Sequence, residues 1–286
     1  MKCKRCYGHL DHSLNDLMDF ETAKKATEFY LHNRSPQTPP GYIMIFGGEP
    51  LLNWDTVKTY ILWAKNQLPS YDLQLFTNGL KLSKEKIDFF TSNKVMVFIS
   101  LDGDFQQHHQ VRSVTLEAFS LIVSMIRYFK EQEPGMIIPY CVVNKKDLDA
   151  LNRNISFIAS LGVHNIAVAK EFGQDWTSHE QTTLRETLKQ FPHPNFMIYP
   201  EATSNCLDCY PRQMMVYPNG DIYDLCYVCA TVQVNKKLLK KKDLELFYMG
   251  NIHKDHILRL DVRKKRKTMH RLTFCPTITA DYSEIA

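Results

Sequence analysis

The chain has no apolar run near the roughly 18 residues that a membrane span requires. Its opening residues, Met1-Lys-Cys-Lys-Arg, hold no apolar segment of the kind a signal peptide needs. The expectation is therefore a cytoplasmic protein with no membrane partner. Excess charge is small too: a net +4 over 286 residues is too little to argue for nucleic acid. Positive charge is concentrated late, in Lys236-Lys-Leu-Leu-Lys-Lys-Lys242 and Arg263-Lys-Lys-Arg-Lys267. No base-stacking aromatics are interleaved with these runs, so they read as solvated faces, and no nucleic-acid partner is expected. The partner they would suit is an acidic peptide. Internal repeats and low-complexity segments are absent as well.

What is present is a 44% hydrophobic content, enough to bury a large core, and eight cysteines. Without an export signal, eight cysteines point to metal, cluster or redox chemistry rather than to a disulfide framework. Apolar strand runs at Ile43 to Phe46, Leu73 to Phe76, Val95 to Leu101, Ile137 to Val143 and Asn165 to Ala169 alternate with helical patterns. The helices are expected at Asp19 to His32, Asn53 to Leu68, Ser83 to Thr91, Leu116 to Phe129, Leu148 to Leu161 and Ser178 to Gln190. Nearly all-apolar strands between helices predict an α/β body with a parallel sheet. Phe191-Pro-His-Pro194 marks a boundary, giving expected domains of 1–194 and 195–286. Beyond it, Gln213 to Tyr217 and Asp221 to Asp224 around Asn219-Gly220 read as a hairpin.

Chemistry concentrates at the strand ends. Gly41-Tyr-Ile-Met-Ile-Phe46 runs into Gly47-Gly48-Glu49-Pro50 and then a helix. That arrangement puts a small polar ligand at the carboxyl edge of a parallel sheet, with glycines allowing close backbone approach and Glu49 able to bind a cation. Phe76-Thr-Asn-Gly79 and Ser100-Leu-Asp-Gly103 end later strands, and Cys3-Lys-Arg-Cys6-Tyr7 lies upstream. Arg112 has the planar fork that holds a carboxylate in bidentate geometry. By themselves Cys3 and Cys6 are a zinc half-site or a redox pair. Asn78-Gly79 and Asp102-Gly103 read as turns, His108 and His109 as packing or water-binding groups, and Cys141 as a small buried hydrophobe.

Together these motifs resemble the radical S-adenosylmethionine (radical SAM) enzymes, specifically the peptide and protein maturases with a cysteine-rich SPASM or twitch extension. The resemblance implies a partial (β/α)6 barrel and a [4Fe–4S] cluster held by Cys-x3-Cys-x2-Cys, of which Cys3 and Cys6 match the second and third cysteines. The first cysteine and first strand would precede Met1, so five of six barrel strands are expected, as in a truncated chain. Arg5 departs from the aromatic residue common before the third cysteine. The resemblance implies that Gly47, Gly48 and Glu49 bind the amino group of S-adenosylmethionine. Asn78 would shape the neighbouring loop, and Ser100 and Arg112 would contact the carboxylate. The implied reaction is reductive cleavage to a 5′-deoxyadenosyl radical that modifies or crosslinks a residue of a precursor peptide or protein, with a flavodoxin or ferredoxin as electron donor.

Cys206-Leu-Asp-Cys209 and Cys226-Tyr-Val-Cys229 bracket the hairpin, and Cys275 lies near the end. Two knuckles at hairpin ends suit a tetrahedral zinc ribbon. In the resembled family, a hairpin like Pro218-Asn-Gly-Asp-Ile-Tyr223 followed by Gly250-Asn-Ile252 introduces auxiliary iron–sulfur clusters. Zinc and one auxiliary [4Fe–4S] cluster therefore both stand as alternatives for Cys206, Cys209, Cys226, Cys229 and Cys275. Sulfatase maturases carry an aspartate after the cysteine that follows this hairpin, where this chain has Tyr227. Peptide maturation is thus the first expectation; sulfatase-type protein modification and an inactive zinc-ribbon scaffold are the alternatives.

Overall fold

The computed structural model describes residues 3–4, 17–33, 42–171, 176–199, 215–223 and 248–254. By contact the chain divides into two compact units, one containing residues 40–171 and 176–200, the other containing residues 7–39 and 201–286. Among the described residues no helix is long and apolar enough to cross a membrane.

The first unit is α/β, as its alternating pattern predicts. Six parallel strands stand in sequence order: β1 (Tyr42–Ile45), β2 (Asp72–Thr77), β3 (Val95–Ser100), β4 (Ile137–Val143), β5 (Asn165–Lys170) and β6 (Asn195–Tyr199). Crossovers between parallel neighbours are right-handed, and a strand order that always advances in one direction puts every crossover on the same face. The other face is left to line the inside of a curved sheet. Side-chain burial follows this division. Leu73, Leu75, Val97, Ile99, Leu101, Ile137, Ile166 and Val168 alternate along their strands and are fully buried. Of the intervening residues, Gln74, Phe76, Met96, Ser100, Tyr140 and Val142 are only partly buried, while Phe98, Ile138 and Ala167 form a buried cluster at the centre of that face. On β1 this inner face is open, with Tyr42 at 54% and Met44 at 45% exposure. Its centre is aromatic: Phe76 and Phe98, paired across β2 and β3, stack with centroids 4.4 Å apart, and Tyr140 meets Phe76 edge-on at 5.8 Å.

The crossover helices start where capping residues end the loops. Ser83 caps α3 (Lys84–Ser92), Asp104 caps α4 (Phe105–Arg112), Thr115 caps α5 (Leu116–Gln132), and Thr177 with Glu180 forms a capping box on α7 (Ser178–Lys189). A 3-10 turn over Pro50–Asn53 precedes α2 (Trp54–Gln67).

The structure corrects the sequence reading in three places. β6 makes a sixth strand where five were expected, because Pro192 and Pro194, read as a boundary, only introduce it. α4 was not expected, since Phe-Gln-Gln-His-His-Gln-Val-Arg carries too few apolar residues to show a helical face. The helix expected from Leu148 instead begins as a 3-10 turn over Lys145–Ala150, capped by Asn144, before α6 (Leu151–Ser160).

In the second unit the hairpin appears as β7 (Met215–Val216) and β8 (Asp221–Tyr223), joined antiparallel, and Gly220 takes the left-handed φ of +85° that the Asn-Gly turn requires. β9 (Tyr248–Asn251) adds a third strand. Asn251 ties the sheet together: its Nδ2 donates to Asn219 O and to Asp221 Oδ1, each at 2.9 Å. α1 (Phe20–Asn33) belongs to this unit, with Asp19 accepting from Thr22 N–H as its cap and Thr22 Oγ1 2.9 Å from His253 Nε2.

Gly103, after β3, has φ +147°, and a Cβ there would lie 2.5 Å from the Asn154 side chain. Gly103→Ala should therefore cost about 2–5 kcal/mol of stability, from backbone strain plus overpacking. Adding Asn154→Ala should recover only part of that cost, because the strain remains. Urea denaturation of the three variants measures both effects, and an unchanged midpoint for Gly103→Ala would contradict the fit.

Candidate functional site

The loops that leave the carboxyl ends of the strands are joined to one another by inward-turned polar side chains. After β1, Gly47 and Gly48 are exposed, and a Cβ at Gly48 would meet nothing within 4 Å. Glu49 follows. Its Oε1 accepts from Leu51 N–H at 3.1 Å, capping the 3-10 turn, and from the Thr77 hydroxyl at 2.7 Å; its Oε2 accepts from Asn78 N–H at 2.7 Å. Glu49 thus fastens the end of β1 to the end of β2. Burial raises its carboxyl pKa, and the bonds from Asn78, Thr77 and Leu51 only partly offset that. Asn78 Oδ1 in turn accepts from Leu80 N–H at 2.9 Å, fixing the loop before Gly79.

Ser100 ends β3, two residues before Asp102, whose carboxylate is fully buried. Arg112, at the carboxyl end of α4 and 13% exposed, grips Asp102 with both edges of its fork: Nε to Oδ2 at 2.5 Å and Nη2 to Oδ1 at 3.1 Å. Val142 N–H of β4 donates to Asp102 Oδ1 at 3.1 Å, and His108 Nδ1 lies 3.6 Å from Oδ2. The Asp102 amide donates to His108 Nδ1 at 3.3 Å, and the Cys141 thiol approaches Asp102 O at 3.6 Å. Burial acts to raise the Asp102 pKa, but the Arg112 charge and its hydrogen bonds prevail and hold the carboxyl far below the usual range. For Cys141, burial and the nearby Asp102 charge push the thiol pKa up, which suits the packed hydrophobe expected there.

Arg112 reaches one expected ligand as well. Burial lowers the Arg112 pKa, but Asp102 and then the Cys3 side chain outweigh it, and next to Cys3 the Lys4 N–H donates to Val111 O at 3.0 Å. Further round the edge, Asn144 Nδ2 donates to Glu171 Oε2 at 2.6 Å, joining the ends of β4 and β5.

The expected residues thus fall into two groups within the first unit: Gly47, Gly48, Glu49 and Asn78 around the ends of β1 and β2, and Cys3, Ser100 and Arg112 around the end of β3. Asp102 engages the Nε and Nη2 edge of Arg112, a pairing the sequence reading did not anticipate. Cys6, Cys206, Cys209, Cys226, Cys229 and Cys275 lie outside the described residues. Among the described residues no group of three His, Cys, Asp or Glu side chains gathers that could hold a metal ion. Asp102, Thr77 and the Asn144–Glu171 pair were not anticipated in these roles. A threonine directly before Asn-Gly at a strand end was the available signal for Thr77.

No family model matches the chain, and no curated protein matches it either. Solved structures do. Native anSMEcpe, an anaerobic sulfatase-maturating enzyme, with bound AdoMet is 16% identical over 99% of this chain and 81% of its own, at a TM-score of 0.66. The same enzyme with AdoMet and the Cp18Cys peptide is 15% identical over the same shares, at 0.67. Streptococcus suis SuiB bound to precursor peptide SuiA is 16% identical over 86% of this chain and 61% of its own, at 0.62. These are radical SAM enzymes, and at such identities the likeness shows the fold alone: the first unit is a partial barrel of the radical SAM type.

The Asp102–Arg112 pair should dominate stability at this edge. Asp102→Ala strands a buried guanidinium and the Val142 amide, and should cost about 3–5 kcal/mol in urea denaturation. A depressed carboxyl contributes stability that is fully present above its unfolded pKa of about 3.9 and is lost as pH falls towards the folded value. Glu49, with a raised pKa, acts in the opposite sense, and its contribution declines as pH rises above about 4.3. Denaturation midpoints between pH 3 and pH 7 should therefore show an acid-side loss that Asp102→Ala flattens; a parallel acid limb in the variant would contradict the assignment.

Proposed function

We propose that this chain is a radical SAM peptide maturase, which cleaves S-adenosylmethionine reductively and directs the resulting radical at a residue of a precursor peptide. The single observation that carries the reading is the pairing of an exposed Gly47-Gly48 backbone with a Glu49 staple at the carboxyl edge of a barrel of this type. The structural neighbours support a peptide substrate, since both anSMEcpe and SuiB were solved with peptides. In this reading the [4Fe–4S] cluster and S-adenosylmethionine supply the electron and the radical when bound. Cys3 fits a cluster ligand by the chemistry of its surroundings, because a guanidinium beside it would balance the charge of a metal-bound sulfur. Cys6 is its proposed companion.

The chain's own residues do the positioning. Glu49 fixes the glycine backbone against β2, so that the carbonyls of Gly47 and Gly48 can accept from the amino group of the cofactor. Asn78 shapes the adjoining loop, and the hydroxyl of Ser100 stands ready at the end of β3. The aromatic inner face around Phe76, Phe98 and Tyr140 excludes water from the barrel centre. The cysteine-rich segment after about residue 195 is proposed as a SPASM or twitch-like domain with an auxiliary cluster. A flavodoxin or ferredoxin is the proposed electron donor.

Gly48→Val tests the cofactor placement without threatening the fold, since its side chain would enter open space. Its melting temperature should match that of the unaltered chain, while its affinity for S-adenosylmethionine, by anaerobic calorimetry, should fall at least about tenfold, or about 1.4 kcal/mol. Equal affinity in both proteins would overturn the placement. Metal analysis of the same preparations separates the alternative scaffold: one zinc per chain with no iron or sulfide would mean a zinc ribbon.

A further inference from the structure

Arg112 differs from an ordinary loop arginine in what stands behind it. Asp102 accepts from its Nε and Nη2, and Asp102 is itself fixed by Val142 N–H of β4. The guanidinium is therefore attached to the sheet through a rigid, planar, two-bond contact. Asp102 occupies two of the five N–H groups of the fork, and the guanidinium also interacts with the side chain of Cys3. The backbone makes the same junction independently, through Lys4 N–H to Val111 O at 3.0 Å, so that residues 3 and 4 lie along the last turn of α4. Both contacts fall within the first unit.

We propose that the Asp102–Arg112 pair is a positioning device for the amino-terminal cysteine segment, docking Cys3 on the end of α4 and holding a fixed positive charge against its sulfur. Arg112 then serves the thiolate side of the site. Three consequences follow from the chemistry of the contact. Docking exists before any metal binds, because it needs only the guanidinium, the thiol and one backbone bond. Lysine cannot replace arginine, because an ammonium lacks the fork that engages Asp102 and Cys3 together. A cation held beside a ligand sulfur stabilises added negative charge, so it makes a bound iron–sulfur centre easier to reduce. Only this last consequence rests on reading Cys3 as a cluster ligand.

Two arms on the full chain test the proposal separately from that reading. In the metal-free protein, hydrogen exchange is followed at the Lys4 amide, with the buried Val97 N–H, which donates to Met136 O, as an internal control for the fold as a whole. Arg112→Lys should speed exchange at Lys4 at least about tenfold, equivalent to about 1.4 kcal/mol of local opening, while Val97 stays protected. Unchanged protection of Lys4 would overturn the docking, and loss of protection at both amides would make Arg112 a general fold determinant and overturn it equally. In the second arm, chains loaded with iron and sulfide without oxygen are titrated by electron paramagnetic resonance. Arg112→Gln should lower the midpoint potential, and Arg112→Lys, which restores a cation, should recover part of the shift. Full iron content with an identical potential in all three proteins would overturn the charge role. If the unaltered chain takes up no iron, the cluster reading falls and the exchange arm alone decides the docking.

Discussion

A buried carboxylate without compensating donors would be among the costliest groups a protein of this size could carry, and Asp102 is made tolerable only by the elements that converge on it. It sits just past β3, accepts from β4 through Val142 N–H, and accepts twice from Arg112 at the end of α4. Three elements, β3, α4 and β4, are thereby forced into one arrangement. Misplacing any of them leaves a charge unpaired in the interior, a penalty much larger than the loss of a few apolar contacts. The end of β3, the start of the crossover and the docked amino-terminal residues all take their positions from this constraint.

Similar logic runs along the rest of the carboxyl edge with milder energies. Glu49 joins the ends of β1 and β2, and Asn144 with Glu171 joins those of β4 and β5. Parallel strands alone fix spacing and register, but not how the loops beyond them lie. Acidic and amide side chains folded back onto neighbouring loops do that, and they turn an otherwise pliable rim into a framework. The exposed Gly47 and Gly48 are the part of this rim left uncovered, which is what a backbone-binding site requires.

Most of the barrel was legible because fully buried parallel strands are written as apolar runs, such as Val95 to Leu101, and because helices announce their starts with Ser83, Thr115 and Thr177. What escaped had physical reasons. β6 begins directly after two prolines, whose signal for a break is stronger than that of a five-residue strand for pairing. α4 is polar nearly throughout and is held by its Asp104 cap and by tertiary contacts, so periodicity had little to register. Asp102 was read as a turn residue because acid-glycine pairs usually are. Its partner lies ten residues away across a helix, and no local pattern encodes a buried pair of that kind. The glycine-rich loop and Arg112 could be singled out by residue type, whereas the pairing of Arg112 with Asp102 belongs to three-dimensional packing.

The strand order also sets a timetable. Among the described residues each barrel strand pairs only with its neighbours in sequence, at separations of 30 residues for Tyr42 and Asp72, 22 for Leu73 and Val95, and 40 for Val97 and Ile137. Such pairings close short loops and can form one after another as the chain leaves the ribosome. The second unit cannot begin that way. Its α1 precedes every barrel strand in the chain, yet its contact through Thr22 is with His253, 231 positions later. During synthesis α1 must therefore wait, its partner surface not yet made, while the barrel assembles, and that interval is when a nascent chain most needs shielding from aggregation.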